Sequence, residues 1–345
     1  VSLPRIVHLV DDTTAGGVMR VLDHILTAPE MARTAQHSLI GIDRGRVSLG
    51  PIEADVIVSH LSVSWRGAPM VAALRARHPR TPLVHVEHSY TEAFVAANVV
   101  HKRRFAALLR LTYRLFDRVV AVSHAQGQWL VRSGAVRARA LSIIPSCVDL
   151  SAFRALDRTA TPARIIGAIG RLDRQKGFDT LITAFRSANL PSLQLHIYGD
   201  GAERGTLQAL AGDDPRIKFM GFSREPVAAM AAVDVVAMPS NWEAYGLVAI
   251  EALAAGRGLV VNGIDGLIDH IPNGARSVAD NSPEAWRTAL EEILWSGAAM
   301  DGAPIRSGPS LETAFSDNWH NLLSGLMVGR SNSASHQKQE GAGLT

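Results

Sequence analysis

Two doubly wound α/β domains joined by a polar linker are what this sequence predicts, and three features predict them. Short runs of β-branched and aliphatic residues alternate with helical patterns along nearly the whole chain, the arrangement that builds parallel sheets covered by helices on both faces. The alternation is interrupted by a polar stretch, residues 151–162, which contains an Arg-Thr-Ala-Thr-Pro run and reads as a linker. The 345 residues are too many for one ordinary core and comfortable for two.

Composition narrows the class further. Apolar residues make up 47% and charged residues 19%, the balance of a globular protein. No apolar run approaches the roughly 20 residues that span a bilayer, and the N-terminus lacks the basic, apolar and small-residue order of a secretory signal, so a cytoplasmic protein is expected. The single cysteine, Cys147, excludes an intramolecular disulfide and reads as a buried, inert thiol. Net charge is only +3, so local basic patches matter more than the total.

In the first half, residues 5–10 form a strand pattern, followed by Asp11-Asp12-Thr13-Thr14-Ala15-Gly16-Gly17 and a helical stripe through Val18, Val21, Leu22 and Ile25. Strand, glycine loop and helix make a nucleotide-type opening unit, although the spaced glycines of a dinucleotide fingerprint are absent. Gly16 and Gly17 permit close backbone approach to a ligand; an ordinary tight turn uses the same pair. Strand patterns recur at 38–42, 56–59, 83–86, 119–122 and 142–144, with a helix at 67–77 and another capped by Ser123 that contains Trp129 and Leu130.

His88 follows the strand 83–86, and C-terminal strand ends face the crevice in which open α/β sheets bind ligands. His85 and His88 with Glu87 between them are poorly spaced for tetrahedral ligation and have no third cluster, so no metal is expected. Residues 101–118, HKRRFAALLRLTYRLFDR, place Phe105, Leu108, Leu109 and Phe116 on one stripe, ringed by Lys102, Arg103, Arg104, Arg110 and Arg114. Two readings stand: a core-facing helix whose arginines snorkel into water, or a basic amphipathic helix resting on an anionic membrane. Nucleic acid is not expected, because no recognised fold motif or aromatic platform accompanies the charges.

The second half opens with a strand at 164–169, the loop Gly170-Arg171-Leu172-Asp173-Arg174-Gln175-Lys176-Gly177 and a helix at 178–186. Arg171 offers a planar fork and Lys176 a mobile point charge, a pair suited to gripping a diphosphate. A strand at 193–198 leads into a Gly199–Gly205 loop that imitates a dinucleotide site. The next strand, 216–220, ends in Gly221-Phe222 rather than in the acid that would hold a ribose. A further strand at 234–238 enters the run PSNWEAYGLVAIEALAAG, residues 239–256, which reads as a loop followed by a helix. The amides of Gly246, Leu247 and Val248 at that helix start suit a phosphate. Glu243 precedes them and Glu251 lies about two turns on; carboxylates accept well from vicinal hydroxyls. Taken singly, a helix cap and a solvated helix face are the commoner roles of such glutamates. A strand at 258–262, a loop at 263–266, a helix at 283–295 capped by Ser282 and a final helix at 311–328 with Trp319 and Leu322 complete the pattern. The polar segment 330–345 reads as a disordered tail.

Glu243, seven intervening residues and Glu251, preceded by Pro239-Ser240 and interrupted by Tyr245-Gly246-Leu247, resemble the signature of glycosyltransferase family 4 (group 1). The loop 170–177 resembles that family's Gly-Arg-Leu…Lys-Gly motif, and Gly199-Asp200-Gly201 with Phe219-Met220-Gly221-Phe222 its Gly-x-Gly loop and following strand end. Gly16-Gly17 resembles its N-domain loop, and the runs DRVVAVSHAQGQWLVRSG and IIPSCVD resemble the end of its first domain. The chain departs from the pattern at Ser146-Cys147, where Asn-Gly is common, and at Gly258, where proline is usual. An acid usual near Ile268 has Asp269 as its candidate.

The resemblance implies the GT-B fold, two Rossmann-like domains facing across a cleft. Residues 1–155, completed by the returning helix 311–328, would form the acceptor side, and 163–305 would hold the donor. It implies a retaining, metal-independent hexosyl transfer from a nucleotide-sugar donor to a saccharide or lipid-linked acceptor, without cofactor, in bacterial envelope or exopolysaccharide synthesis. The absence of an Asp-x-Asp pair fits that reading. By resemblance, Gly16, Gly17 and His88 touch the donor, Arg171 and Lys176 stabilise the leaving diphosphate, Glu243 orients sugar hydroxyls, Glu251 holds the ribose, and Met220 and Phe222 border the base. The enzyme would meet a lipid-linked acceptor peripherally, at the inner membrane face, through residues 101–118. Two rivals remain: a catalytically silent sugar-nucleotide-binding protein, and a nicotinamide oxidoreductase, which the missing ribose acid disfavours.

Overall fold

Aliphatic runs as short as Val-Ile-Val-Ser become parallel strands here because helices cover both faces of each sheet, so every position of such a strand is buried. The computed structural model of the protein describes residues 3–14, 16–43, 49–157, 163–295 and 310–341. They divide into two compact units, one of Val1–His88, Val100–Val148 and Pro309–Thr345, the other of Ser89–Val99 and Asp149–Gly308. Along the chain the helices are α1 (Gly17–Thr27), α2 (Pro29–Ala32), α3 (Ala68–Arg77), α4 (Glu92–Asn98), α5 (Lys102–Tyr113), α6 (His124–Arg132), α7 (Ser151–Arg154), α8 (Phe178–Ser187), α9 (Arg204–Ala211), α10 (Pro226–Ala231), α11 (Leu247–Ala254), α12 (Pro283–Trp295) and α13 (Leu311–Gly341).

In the first unit, β1 (Arg5–Val10), β2 (Gln36–Gly41), β3 (Val56–Ser59), β4 (Leu83–Glu87), β5 (Arg118–Ala121) and β6 (Leu141–Ile143) form one parallel sheet in the order β2-β1-β3-β4-β5-β6. The order reverses between β1 and β3, and crevices open at such switch points beyond the strands' C-terminal ends. The apolar stripe of α5 is packed inward: Leu108, Leu109 and Tyr113 are buried, as is Phe116 beyond the helix. Of the two readings of this segment, the core-facing one describes its apolar side. Arg110 is held as well, its guanidinium donating to the carbonyls of Ser133 (2.9 Å) and Gly134 (3.1 Å). The closing helix α13 buries Phe315, Trp319 and Leu323 in this unit, with Phe315 against His24 and the Trp319 ring edge-on to His8. That helix continues to Gly341, through most of the segment whose sequence predicts a disordered tail.

In the second unit, β7 (Ile165–Ile169), β8 (Gln194–Tyr198), β9 (Ile217–Gly221), β10 (Val235–Met238), β11 (Gly258–Asn262) and β12 (Arg276–Val278) form a parallel sheet in the order β12-β11-β10-β7-β8-β9. This is the doubly wound arrangement, with its reversal between β7 and β10. Phe178, Leu181, Ile182 and Phe185 of α8 pack with Trp286 and Leu290 of α12 over Ile166 and Ile197. Two assignments differ from the sequence reading. Residues Ser89–Val99, with α4 capped by Thr91, pack with the second unit, and the expected linker begins with a turn of helix, α7; its residues 158–162 lie outside the described residues.

Candidate active site

The loops that follow β7 and β10 are neighbours because those two strands pair at the reversal point. Backbone and side chains stitch them together. The Asn241 amide donates to the Gln175 carbonyl at 2.7 Å, the Asn241 side chain to the Arg174 carbonyl at 2.7 Å, and the Gln175 side chain to the Trp242 carbonyl at 3.1 Å. Gly177 closes the first loop in the left-handed region (φ 62°), and a Cβ there would collide with the Pro239 carbonyl oxygen, so only glycine allows this approach. Asn281, held by the buried Trp286 indole at 2.7 Å, donates to the same Pro239 carbonyl at 3.0 Å.

That stitching brings Lys176 to Glu243. Nζ lies 2.5 Å from Oε2, with side chains 15% and 12% exposed, and the Ser240 hydroxyl donates to the same oxygen at 3.3 Å. Immediately beyond, Gly246 (φ 90°) turns the chain into α11, against the side chains of Met238 and Leu267. As the residue before the helix, it has no side chain to cap the first-turn amides. Lys176 is thus paired with Glu243, which is followed within five residues by the amides of Gly246, Leu247 and Val248, and an ammonium and a helix N-terminus both favour an anion. Glu251 is 1% exposed in a helix buried over most of its circumference, which excludes the solvated-face reading.

One residue of this neighbourhood is not foreseen from the sequence. Asp265 opens the 3-10 segment Asp265–Asn273 with a positive φ of 45°, a strained position for a residue other than glycine. Its carboxylate accepts from the Thr91 hydroxyl (2.6 Å), the Ala93 amide (3.2 Å) and the Glu243 amide (3.3 Å), and the Gly266 amide returns a bond to the Glu243 carbonyl at 2.9 Å. Burial raises the Asp265 pKa, against the hydrogen bonds that lower it. Asp265 thereby fixes the backbone that carries Glu243, while Asp269, the acid singled out in the sequence, sits four residues further along the same segment. The available signal was the dipeptide Asp265-Gly266, since Asp tolerates left-handed backbone.

The remaining expected residues are placed more loosely. Arg171 shares the Lys176 loop but is 70% exposed and turned to Asp173 (3.4 Å) and Gln175 (3.2 Å) of that same loop. Met220 and Phe222 are exposed where β9 ends, 47% and 65% respectively, as side chains available to border a ligand. Gly16 and Gly17 start α1 in the first unit; Gly16 has extended backbone, and a Cβ there would make only ordinary contact with the Thr14 carbonyl oxygen (3.8 Å), so neither strain nor crowding demands glycine there. His88 is half-buried just past β4, with Nε2 2.8 Å from Nδ1 of His60. Burial lowers its pKa to about 4, the Glu87 carboxylate pulling the other way. Glu87 itself accepts from the Tyr113 hydroxyl at 2.6 Å. Among the described residues no three His, Cys, Asp or Glu side chains gather as a metal site, and no helix is long and apolar enough to cross a membrane.

Comparison with known proteins agrees with this geometry. Residues 14–152 match the family model for Glycosyltransferase Family 4, and residues 163–295 match that for Glycosyl transferases group 1. The D-inositol 3-phosphate glycosyltransferase of Mycolicibacterium gilvum is 28% identical over 84% of this chain and 68% of its own length. The lipopolysaccharide core biosynthesis glycosyltransferase LpsE of Rhizobium meliloti is 30% identical over 54% of each chain. Among solved structures, Anabaena HepE in complex with UDP-glucose superposes with a TM-score of 0.66 at 17% identity, over 96% of this chain and 100% of that one. Sucrose-phosphate synthase of Thermosynechococcus elongatus superposes with 0.67 at 19% identity, over 97% and 100%. Two parallel six-stranded Rossmann-like sheets, the glutamate pair of the second unit and the matches across both halves have one common account: the chain belongs to the group 1, family 4 glycosyltransferases of GT-B fold and uses a nucleotide-sugar donor.

Proposed function

We propose that this enzyme moves a hexosyl group from a nucleoside-diphosphate sugar to a saccharide or lipid-linked acceptor, with retention at the anomeric carbon and without a metal, in building a bacterial envelope or extracellular polysaccharide. The observation that carries this is the Lys176–Glu243 pair beside the start of α11. As the anomeric bond breaks, negative charge develops on the leaving diphosphate, and the Lys176 ammonium with the helix amides is aimed at that charge. Arg171, 70% exposed on its loop, closes on the diphosphate from the other side.

The anomeric carbon gains oxocarbenium character in the same step. Glu243 orients donor-sugar hydroxyls rather than attacking, because one of its oxygens is already held by Lys176 and Ser240. The acceptor hydroxyl then attacks from the face the phosphate leaves, which retains configuration. Glu251 holds the ribose diol, Met220 and Phe222 border the base, and His88 with the Gly16-Gly17 loop serves the donor from the first unit. The likeness to HepE, solved with UDP-glucose, supports a uridine nucleotide.

The test is incubation with a panel of labelled nucleotide sugars, with and without chelator, alongside Glu251→Ala. Slow hydrolysis of one donor that survives the chelator is expected, with weaker nucleotide binding in Glu251→Ala. Binding without turnover of any donor would instead establish a silent binding protein, a divalent-ion requirement would overturn the metal-free mechanism, and equal affinity in Glu251→Ala would remove the ribose assignment.

For a lipid-linked acceptor the protein works at the inner membrane face. With Leu108, Leu109 and Tyr113 of α5 buried, docking runs mainly through charge, by exposed Lys102, Arg103, Arg104 and Arg114, with exposed Leu111 on the same helix and half-exposed Trp65, over which Arg104 stacks at 5.7 Å. Each basic side chain near an anionic leaflet is worth about 1 kcal/mol and is screened by salt. Wild type is expected to cosediment with anionic vesicles at low salt, and Arg103→Glu/Arg104→Glu/Arg114→Glu to lose that binding. Equal binding by the folded variant would point to a soluble acceptor.

A further inference from the structure

Four imidazoles cross the first sheet in a row. His37 lies in β2, His8 in β1, His60 just past β3 and His88 just past β4, four strands adjacent in that order. Each ring is hydrogen-bonded to the next: His37 Nδ1 to His8 Nε2 at 3.0 Å, His8 Nδ1 to His60 Nε2 at 2.9 Å, and His60 Nδ1 to His88 Nε2 at 2.8 Å. Ring centroids repeat at 5.3, 5.2 and 5.1 Å. That repeat is close to the spacing of paired strands, about 4.8 Å, so one imidazole per strand bridges the sheet without distortion. The nitrogens face one another in pairs instead of converging on a point, which is a hydrogen-bonded chain and not a metal cage.

Burial keeps these rings neutral at physiological pH. It lowers the pKa of His8 to about 3 and that of His37 to about 4, and holds His60 well below its ordinary value. A neutral imidazole carries one N–H and one bare nitrogen, so each bond dictates the tautomer of the next ring and the whole row has only two states. In one, protons point from His88 toward His37; in the other, from His37 toward His88. The far end decides between them. Nε2 of His37 is buried with no hydrogen-bond partner. A buried orphan N–H is rarer in proteins than an under-satisfied acceptor, so that nitrogen is the bare one and the proton of His37 sits on Nδ1.

We propose that His37, His8 and His60 are positioning residues that hold His88 as its Nδ1–H tautomer, so that His88 presents a fixed hydrogen-bond donor and no base at the C-terminal end of β4. This rests on the assignment of His88 to the donor sugar. There Nδ1–H donates to a hydroxyl or phosphate oxygen of the donor, and the ring cannot turn over without breaking its bond to His60. The three supporting rings touch no substrate.

The experiment is 15N NMR of histidine-labelled full-length protein, with His88 identified from the His88→Asn spectrum. Wild type is expected to show a pyrrole-type Nδ1 and a pyridine-type Nε2 at His88. His37 is half-buried on the edge strand, so it is replaced most safely. His37→Asp places an acceptor-only group at the end of the row and should reverse every bond, converting His88 to the Nε2–H form. Its kcat should fall about tenfold while the nucleotide-sugar KM changes less than about twofold, the loss of one hydrogen bond made in the transition state. His37→Phe should leave His88 a mixture of tautomers. A wild-type His88 protonated on Nε2, or one whose tautomer is the same in folded His37→Asp, overturns the proposal. Reversal of the tautomer with unchanged turnover supports the row and overturns instead the assignment of His88 to the donor.

Discussion

Lys176→Ala should lower glycosyl transfer by about 10²- to 10³-fold, the loss typical of removing one group aimed at developing negative charge. Two separate effects are combined in that number. The ammonium is lost from beside the helix N-terminus, and Glu243, whose side chain is 12% exposed, loses its partner at 2.5 Å. An unpaired, largely buried carboxylate also costs about 1.5–3 kcal/mol of stability, so the denaturant midpoint should fall together with activity. The double variant Lys176→Ala/Glu243→Ala separates them: stability should recover because no charge is left unpaired, and activity should not. Arg171→Ala should cost less, since that side chain is 70% exposed and its ion pair is within its own loop. A folded Lys176→Ala variant within tenfold of wild type in kcat/KM would show that the helix amides alone carry the leaving group.

The first unit should lose stability steeply below pH 6.5. His8 is fully buried, and burial first, then the neighbouring His37, lowers its folded pKa to about 3 from 6.5. Above pH 6.5 neither folded nor unfolded chain protonates it, and its contribution to stability is complete. Between 6.5 and about 3 only the unfolded chain takes the proton, so stability is lost at about 1.4 kcal/mol per pH unit for each such ring. His37 and His88, with pKa values lowered to about 4, act in the same direction, with a smaller share because both are partly exposed. In the second unit Asp265 works in the opposite sense. Its raised pKa means that its contribution is present at low pH and declines as pH rises through its folded value. Urea midpoints at pH 7.5 and pH 5, followed by exchange of backbone amides in β1, β3 and β4, test this; equal midpoints would mean that the histidines are not held neutral.

Both sheets were legible in the sequence because strands buried on two faces must be aliphatic throughout, and runs such as residues 56–59 and 235–238 admit little else. Where strands were expected, their bounds differ by at most two residues, at ladder ends that fray, whereas the edge strand β12 (Arg276–Val278), which has no aliphatic run, was not expected. The glycine-rich loops, Lys176, Glu243 and the start of α11 were legible as well, because their chemistry lies in residue type and short spacing, which a linear chain displays directly. The segment Asp265–Asn273 was not, since Gly266 and Pro272 inside it read as loop, and the left-handed turn at Asp265 follows from its contacts with Thr91, Ala93 and Glu243. For α5 the sequence left two orientations of one amphipathic stripe, and packing in the first unit chose the inward one. Glu251 is a glutamate in an alanine- and leucine-rich helix, and whether its side faces water depends on what covers that helix, which the sequence does not state. The histidine row is the extreme case. His8 lies 29 residues from His37 and 52 from His60, and His60 lies 28 from His88, so each is an isolated polar residue in its own stretch. Only the strand order β2-β1-β3-β4 makes them neighbours. Local pattern specifies elements, because periodicity and propensity act over a few residues. Strand order and burial select which side chains meet, because hydrogen bonds and desolvation act between groups the chain brings together from afar.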